Sequence, residues 1–138
     1  MFDHCLYFNT SALARRLERE WTVAFKPFDL TPPQAFTLRA VLEYPGMLQH
    51  ELAERLAIAR PTATRALDAL EGKGLIVRRS LERDGREQEI QPTRDALAIK
   101  SALNEASGTV TSRLKKLLGP GEFTEAVTRM RRIRSALE

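Results

Sequence analysis

The sequence predicts a mainly α-helical fold with one small β-hairpin, an α+β class. Three observations predict it. Apolar residues recur at helical spacing through most of the 138 residues. The strong breakers gather at a few places, "FDLTPP", "YPG", "GKG" and "GPG", which divide the chain into helices. One short stretch, "LIVRRS…QEIQPT", is β-branched at its start and holds an Asp84-Gly85 turn in its middle.

Each element follows in order. Leu6, Leu13, Leu17, Trp21 and then Phe25 or Phe28 mark one face of a first helix, with Arg15, Arg16, Glu18, Arg19 and Glu20 between them. Pro27 ends it. Thr31 is the expected N-cap of a second helix, with Pro32 at its first position and Phe36, Leu38, Val41 and Leu42 as apolar residues. Next come "LQHELAERLAIA" and "RPTATRALDALEGKG", two short helices separated by a few residues around Ile58. So tight a connection predicts a helix-turn-helix, the second helix stopping at Gly72 or Gly74. The hairpin follows. After Pro92 a long helix is expected to about Leu118, with Gly108 as a mild breaker inside it. Gly119, Pro120 and Gly121 make a turn, and Phe123, Val127, Met130, Ile133 and Leu137 mark a last helix.

This order is a winged helix-turn-helix flanked by long N- and C-terminal helices. Residues 1–138 are read as one domain, 31–92 as its winged helix-turn-helix and DNA-binding part, and 1–28 with 93–138 as its helical dimerisation part. The flanking helices are apolar on one side and have no evident partner inside the winged helix. A symmetric homodimer would cover them.

Composition narrows the setting. The single cysteine fits a reducing, cytoplasmic location, and no apolar run suggests a membrane partner. The first residues lack the basic-then-apolar order of a signal peptide. The net charge of +4 hints at a polyanion, but residues 48–92 carry eight basic and eight acidic side chains. The positions of individual arginines must therefore carry the case for nucleic acid.

At 100° per residue, the helix after Ala59 buries Ala63, Ala66, Leu67 and Leu70. Its opposite side centres on Arg65, with Pro61 and Asp68 near it and Thr62 and Thr64 on the flanks. Arg65 would point into a major groove, where a guanidinium grips guanine O6 and N7 with two bonds. Arg60 and the threonines sit at the helix start, which favours phosphate. Arg78 and Arg79 lie on the first strand of the wing, and Arg83 and Arg86 at its tip, suited to a minor groove.

With these residues assembled, the sequence resembles the MarR family of bacterial transcription regulators. The likeness rests on "LTPPQAFTLRAV" at 30–41, "LQHELAERLAIARPTATRALDALEGKGLIVRR" at 48–79 and "RDGR" at 83–86. The resemblance implies a homodimer on palindromic double-stranded DNA, a repressor by family default, released by a small-molecule effector or an oxidant. It places Arg60, Thr62, Thr64 and Arg65 at DNA-facing positions and Asp84 and Arg86 in the wing signature, Asp84 orienting an arginine. Three positions depart from the pattern. Leu48 and Ala59 stand where the family has hydroxyl side chains at helix starts, and Ala96 stands where it has glycine.

The remaining chemistry is sparse. No Ser/His/Asp set, phosphate loop or metal-ligand spacing supports an enzyme, a metal or a cofactor. "DHC" at 3–5 cannot converge on one ion, and His50 is the only other histidine. Cys5 reads first as a small semi-buried residue and second as an oxidant sensor, since the family's peroxide-sensing position falls on Tyr7. Tyr7, Trp21, Phe25 and Phe36 are candidates for an effector cleft, although aromatics at such spacing more often form core. The rival to a DNA reader is a winged helix serving as a protein-interaction adaptor.

Overall fold

The structure, a computed structural model, describes residues 1–81 and 87–138. Helix α1 spans Leu6–Phe25 and runs into a 3-10 turn, Lys26–Phe28, at Pro27. Helix α2 spans Pro32–Glu43. Thr31 caps it reciprocally, its hydroxyl accepting from the Gln34 amide while the Gln34 side chain accepts from the Thr31 N–H. Helices α3, Gln49–Leu56, and α4, Arg60–Gly72, form the expected helix-turn-helix. Ala57 closes α3 in the left-handed region, at φ 54°.

The hairpin strands are β2, Ile76–Ser80, and β3, Gln88–Pro92. The sequence reading missed a third strand, β1, at Met47–Leu48. It pairs antiparallel with the free side of β3, so the sheet order is β1-β3-β2. Two residues are too few to display alternation, and the pairing depends on the turn before them. Gly46 sits at φ +87° and donates its N–H to the Ile90 carbonyl at 2.8 Å. A side chain there would be strained and would press on Gln91.

Helix α5, Arg94–Leu118, runs through Gly108 without a break, and α6, Pro120–Ala136, follows the turn at Gly119. Thr93 anchors the start of α5 twice. Its hydroxyl accepts from the Ala96 amide at 3.3 Å and donates to the Gly74 carbonyl at 2.7 Å, tying α5 to the end of α4. The hydrophobic core gathers Leu38, Leu52, Leu67, Leu70, Ile76, Ile90 and Leu103, with Phe25 as the one α1 residue fully inside. Among the described residues, no helix is long and apolar enough to cross a membrane.

Candidate nucleic-acid interface

The face of α4 opposite the core is built as its spacing requires. Ala63, Ala66, Leu67 and Leu70 are buried, which anchors the helix and turns its other side outward. Arg60, Pro61 and Arg65 are exposed, and Thr62 and Thr64 are half-buried. Arg65 Nη2 lies 3.3 Å from Thr62 Oγ1 and donates to it, so the guanidinium rests over the first turn. Ala59 at the N-cap has no side chain to accept from the first-turn amides. The same is true of Leu48 at the start of α3. Both helix starts thus offer backbone N–H groups and the positive end of the helix dipole to an outside acceptor.

Thr64 is tied differently from its neighbours. Its hydroxyl donates to the Arg60 carbonyl at 3.0 Å and accepts from Gln49 Nε2 at 2.8 Å. The single hydroxyl proton is therefore used inside the protein, and the bond fixes the start of α3 against the first turn of α4. Gln49 was absent from the sequence-based candidates. Helical spacing carries no signal for it, because the contact joins two helices.

A concavity of about 680 Å³ lies between α4, the start of α3 and the wing strands. Arg60 and Thr64 line one wall, Leu48, Gln49 and His50 another, and Arg78, Glu87 and Gln88 the third. His50 thus lines this concavity.

Arg78 does not extend outward with Arg79. Its side chain is only 13% exposed and reaches back to α4, with Nη2 2.7 Å from Asp68 Oδ1 and 3.0 Å from Glu71 Oε1. The hydrogen bond from Arg78, then its charge, holds the Glu71 carboxyl below the usual carboxylate range. Arg78, which the sequence places beside Arg79 on the first wing strand, therefore faces α4. Strand alternation turns it toward two carboxylates that outcompete solvent for it. The wing-tip candidates Arg83, Asp84 and Arg86 lie outside the described residues.

The proposed cleft aromatics do not share one place. Tyr7 is 81% exposed near the start of α1. Trp21 lies fourteen residues further on, roughly 21 Å along the helix axis. Phe25 is completely buried and meets Phe36 edge-on, with ring centroids 5.9 Å apart. Phe25 is therefore core and offers no open surface to a ligand, a correction to its placement in a cleft.

Trp21 and Phe36 do meet a polar cluster that the sequence did not announce. Ser107 Oγ accepts from Trp21 Nε1 and from Arg39 Nη1, each at 3.0 Å. Arg39 Nε donates to Asn104 Oδ1 at 2.8 Å, and its guanidinium stands 5.0 Å from the Phe36 ring centre. Burial pushes the Arg39 pKa down. This cluster joins α1, α2 and α5, and its partners are 65 to 86 residues apart in sequence. Cys5 is exposed at the N-cap of α1, not semi-buried.

Comparison with known proteins follows the same lines. Residues 28–87 match the model of the MarR family. This part of the chain, its helix-turn-helix and wing, is of MarR type. YybA, an HTH-type transcriptional regulator of Bacillus subtilis, is 36% identical over 81 residues, 59% of this chain. That match spans about half, 54%, of the relative's length. The MarR-family fold extends over nearly the whole chain. The repressor CouR, solved on a 23-mer DNA duplex, is 28% identical with a TM-score of 0.87, covering 96% of this chain and 94% of that one. CouR with p-coumaroyl-CoA superposes at 0.85 over the same shares, with the same identity. The MepR–DNA complex of S. aureus, at 22% identity, shares the fold at a TM-score of 0.86, with 95% and 96% covered.

Proposed function

We propose that this chain is a transcriptional regulator that binds a palindromic DNA site as a homodimer, acting as a repressor. The observation that carries the reading is the outward first half of α4. Arg60, Pro61 and Arg65 are exposed on a helix whose opposite face is locked into the core. In this reading α4 enters a major groove, Arg65 reads a base edge, and Arg60 and Thr62 hold phosphates. Thr64 supports the helix from behind through Gln49. Arg83 and Arg86, with Asp84 orienting, reach the adjacent minor groove. Similarity to a repressor solved on DNA supports this docking.

The homodimer is supported by apolar side chains left uncovered on the terminal helices. Leu6, Leu13, Val127, Met130 and Ile133 are all exposed, and α6 buries no residue within its own chain. A small-molecule effector is the further part of the reading. Trp21 and Phe36, gathered around the partly buried Arg39, are the residues we assign to it. The similarity to an acyl-CoA-bound relative supports this part. Cys5, exposed at a helix start, is the residue an oxidant would reach.

The test is selection of bound sequences from a random duplex pool, followed by titration of the winner at two salt concentrations. An enriched inverted repeat, with half-sites about one helical turn apart and affinity falling steeply with salt, is expected. No enrichment would sink the reading and favour an adaptor module.

A further inference from the structure

Asp68 and Glu71 are out of place on a helix that meets DNA. Relative to Arg65, helical geometry puts Thr64, Asp68, Glu71 and Arg60 on one flank of α4, the flank that faces the wing. Arg60 and Thr64 line the concavity there. The two carboxylates continue the same row and are half-exposed, at 59% and 46%. A phosphodiester following α4 along this flank would meet two negative charges about two to three turns beyond Arg60.

We infer that Arg78 is a charge mask for the recognition helix, a positioning residue that makes the wing-facing flank of α4 tolerable to a phosphate backbone without touching DNA itself. The inference rests on the DNA-binding reading above and adds a residue that reading does not use. Three observations carry it. One guanidinium bonds both carboxylates at once, through Nη2 to Asp68 and Glu71 and through Nε to Glu71 at 3.4 Å. It comes from β2 and not from α4, so masking requires the wing to be packed in place. It is turned inward and largely covered, its hydrogen bonds directed at α4, whereas the Arg65 side chain lies exposed on the outer face of the helix.

The mask also makes the wing and the recognition helix one electrostatic unit. Asp68 and Glu71 are ten and seven residues from Arg78 and belong to a different element, so the pairing is between elements and not within one. This explains how a winged helix with eight acidic and eight basic residues over 48–92 can present a positive face. Part of the negative charge is neutralised at the back of the groove, while Arg60 and Arg65 remain outward.

The experiment is a mutant cycle on the full chain, titrated against its own selected duplex. Four proteins are compared: parent, Arg78→Gln, the pair Asp68→Asn with Glu71→Gln, and all three changes together. Thermal unfolding of each is followed in parallel. Arg78→Gln should weaken binding about tenfold, because two carboxylates then face phosphate uncompensated. The Asn/Gln pair should bind as tightly as the parent or tighter. Adding Arg78→Gln to that pair should cost less than about threefold. An equal loss from Arg78→Gln in both backgrounds overturns the inference, because Arg78 then touches DNA or acts only by holding the wing. An Arg78→Gln protein that is folded and binds like the parent also overturns it. If the parent itself selects no duplex, the DNA-binding reading has failed, an outcome distinct from either of these.

Discussion

The winged helix and the terminal helices solve the same problem in opposite ways. Residues 30–110 close their own core. Leu38, Leu52, Leu67, Leu70, Ile76, Ile90 and Leu103 are completely or almost completely out of solvent, drawn from six of the elements in that span. The terminal helices carry as regular an apolar face, yet α6 buries nothing and α1 buries only Phe25. Met130 and Ile133 remain 45% and 41% exposed. Amphipathic spacing is thus the same physical statement in both regions, but what it packs against differs. In one region the partner is in the same chain. In the other the apolar stripe stays exposed within the chain.

The comparison can be broken most forcefully at α6. Changing Met130 and Ile133 together to Glu should separate the proposed dimer, with a loss on the order of 5 kcal/mol or more from charges placed in an apolar interface. Sedimentation at micromolar concentration checks this. A chain that stays dimeric would place the interface elsewhere. The contrasting change inside the winged helix is Leu67→Ala, which should lower stability by about 2–5 kcal/mol through the cavity it leaves. Denaturant titration would read it. A loss under 1 kcal/mol would mean that the site collapses around the gap.

Smaller effects sharpen the comparison at the surface. Arg65→Ala should cost about 1–3 kcal/mol of DNA affinity and relax preference at one base pair, with stability unchanged. Equal affinity and selectivity would remove Arg65 from base readout. The smallest effect is in acid. Glu71 has its folded pKa held below the usual 4.5, so its pairing with Arg78 contributes stability above about that pH. That contribution is lost as pH falls through the lower, folded value. Glu71→Gln should therefore flatten the decline of stability below pH 4.5 relative to the parent, as seen by unfolding at a series of pH values. Identical acid limbs would mean that the pairing is not retained in solution.

Much of the molecule was legible because its signals are local. Thr31 and Pro32, Ala63 through Leu70, and the glycines after α4 act on residues within a turn or two of themselves. Their elements begin and end where spacing and breakers require. The outward face of Arg60, Pro61 and Arg65 follows from the same periodicity. Gly46 and β1 were harder, since a two-residue strand shows no alternation and exists only through its pairing with β3.

By itself the sequence determined the order of helices, the wing strands, the core face of α4 and the likeness to the MarR family. Each depends on residue type repeated at a short period, or on a motif contiguous in the chain. Only the tertiary structure decided which polar side chains serve each other. It turned Arg78 from the wing surface onto Asp68 and Glu71, and placed Gln49 on Thr64. It also gathered Trp21, Arg39, Asn104 and Ser107 into one cluster and closed Phe25 into the core. The physical reason is the same in each case. A hydrogen bond or ion pair between elements depends on a distance set by packing, and periodicity along one helix carries no information about what stands across from it.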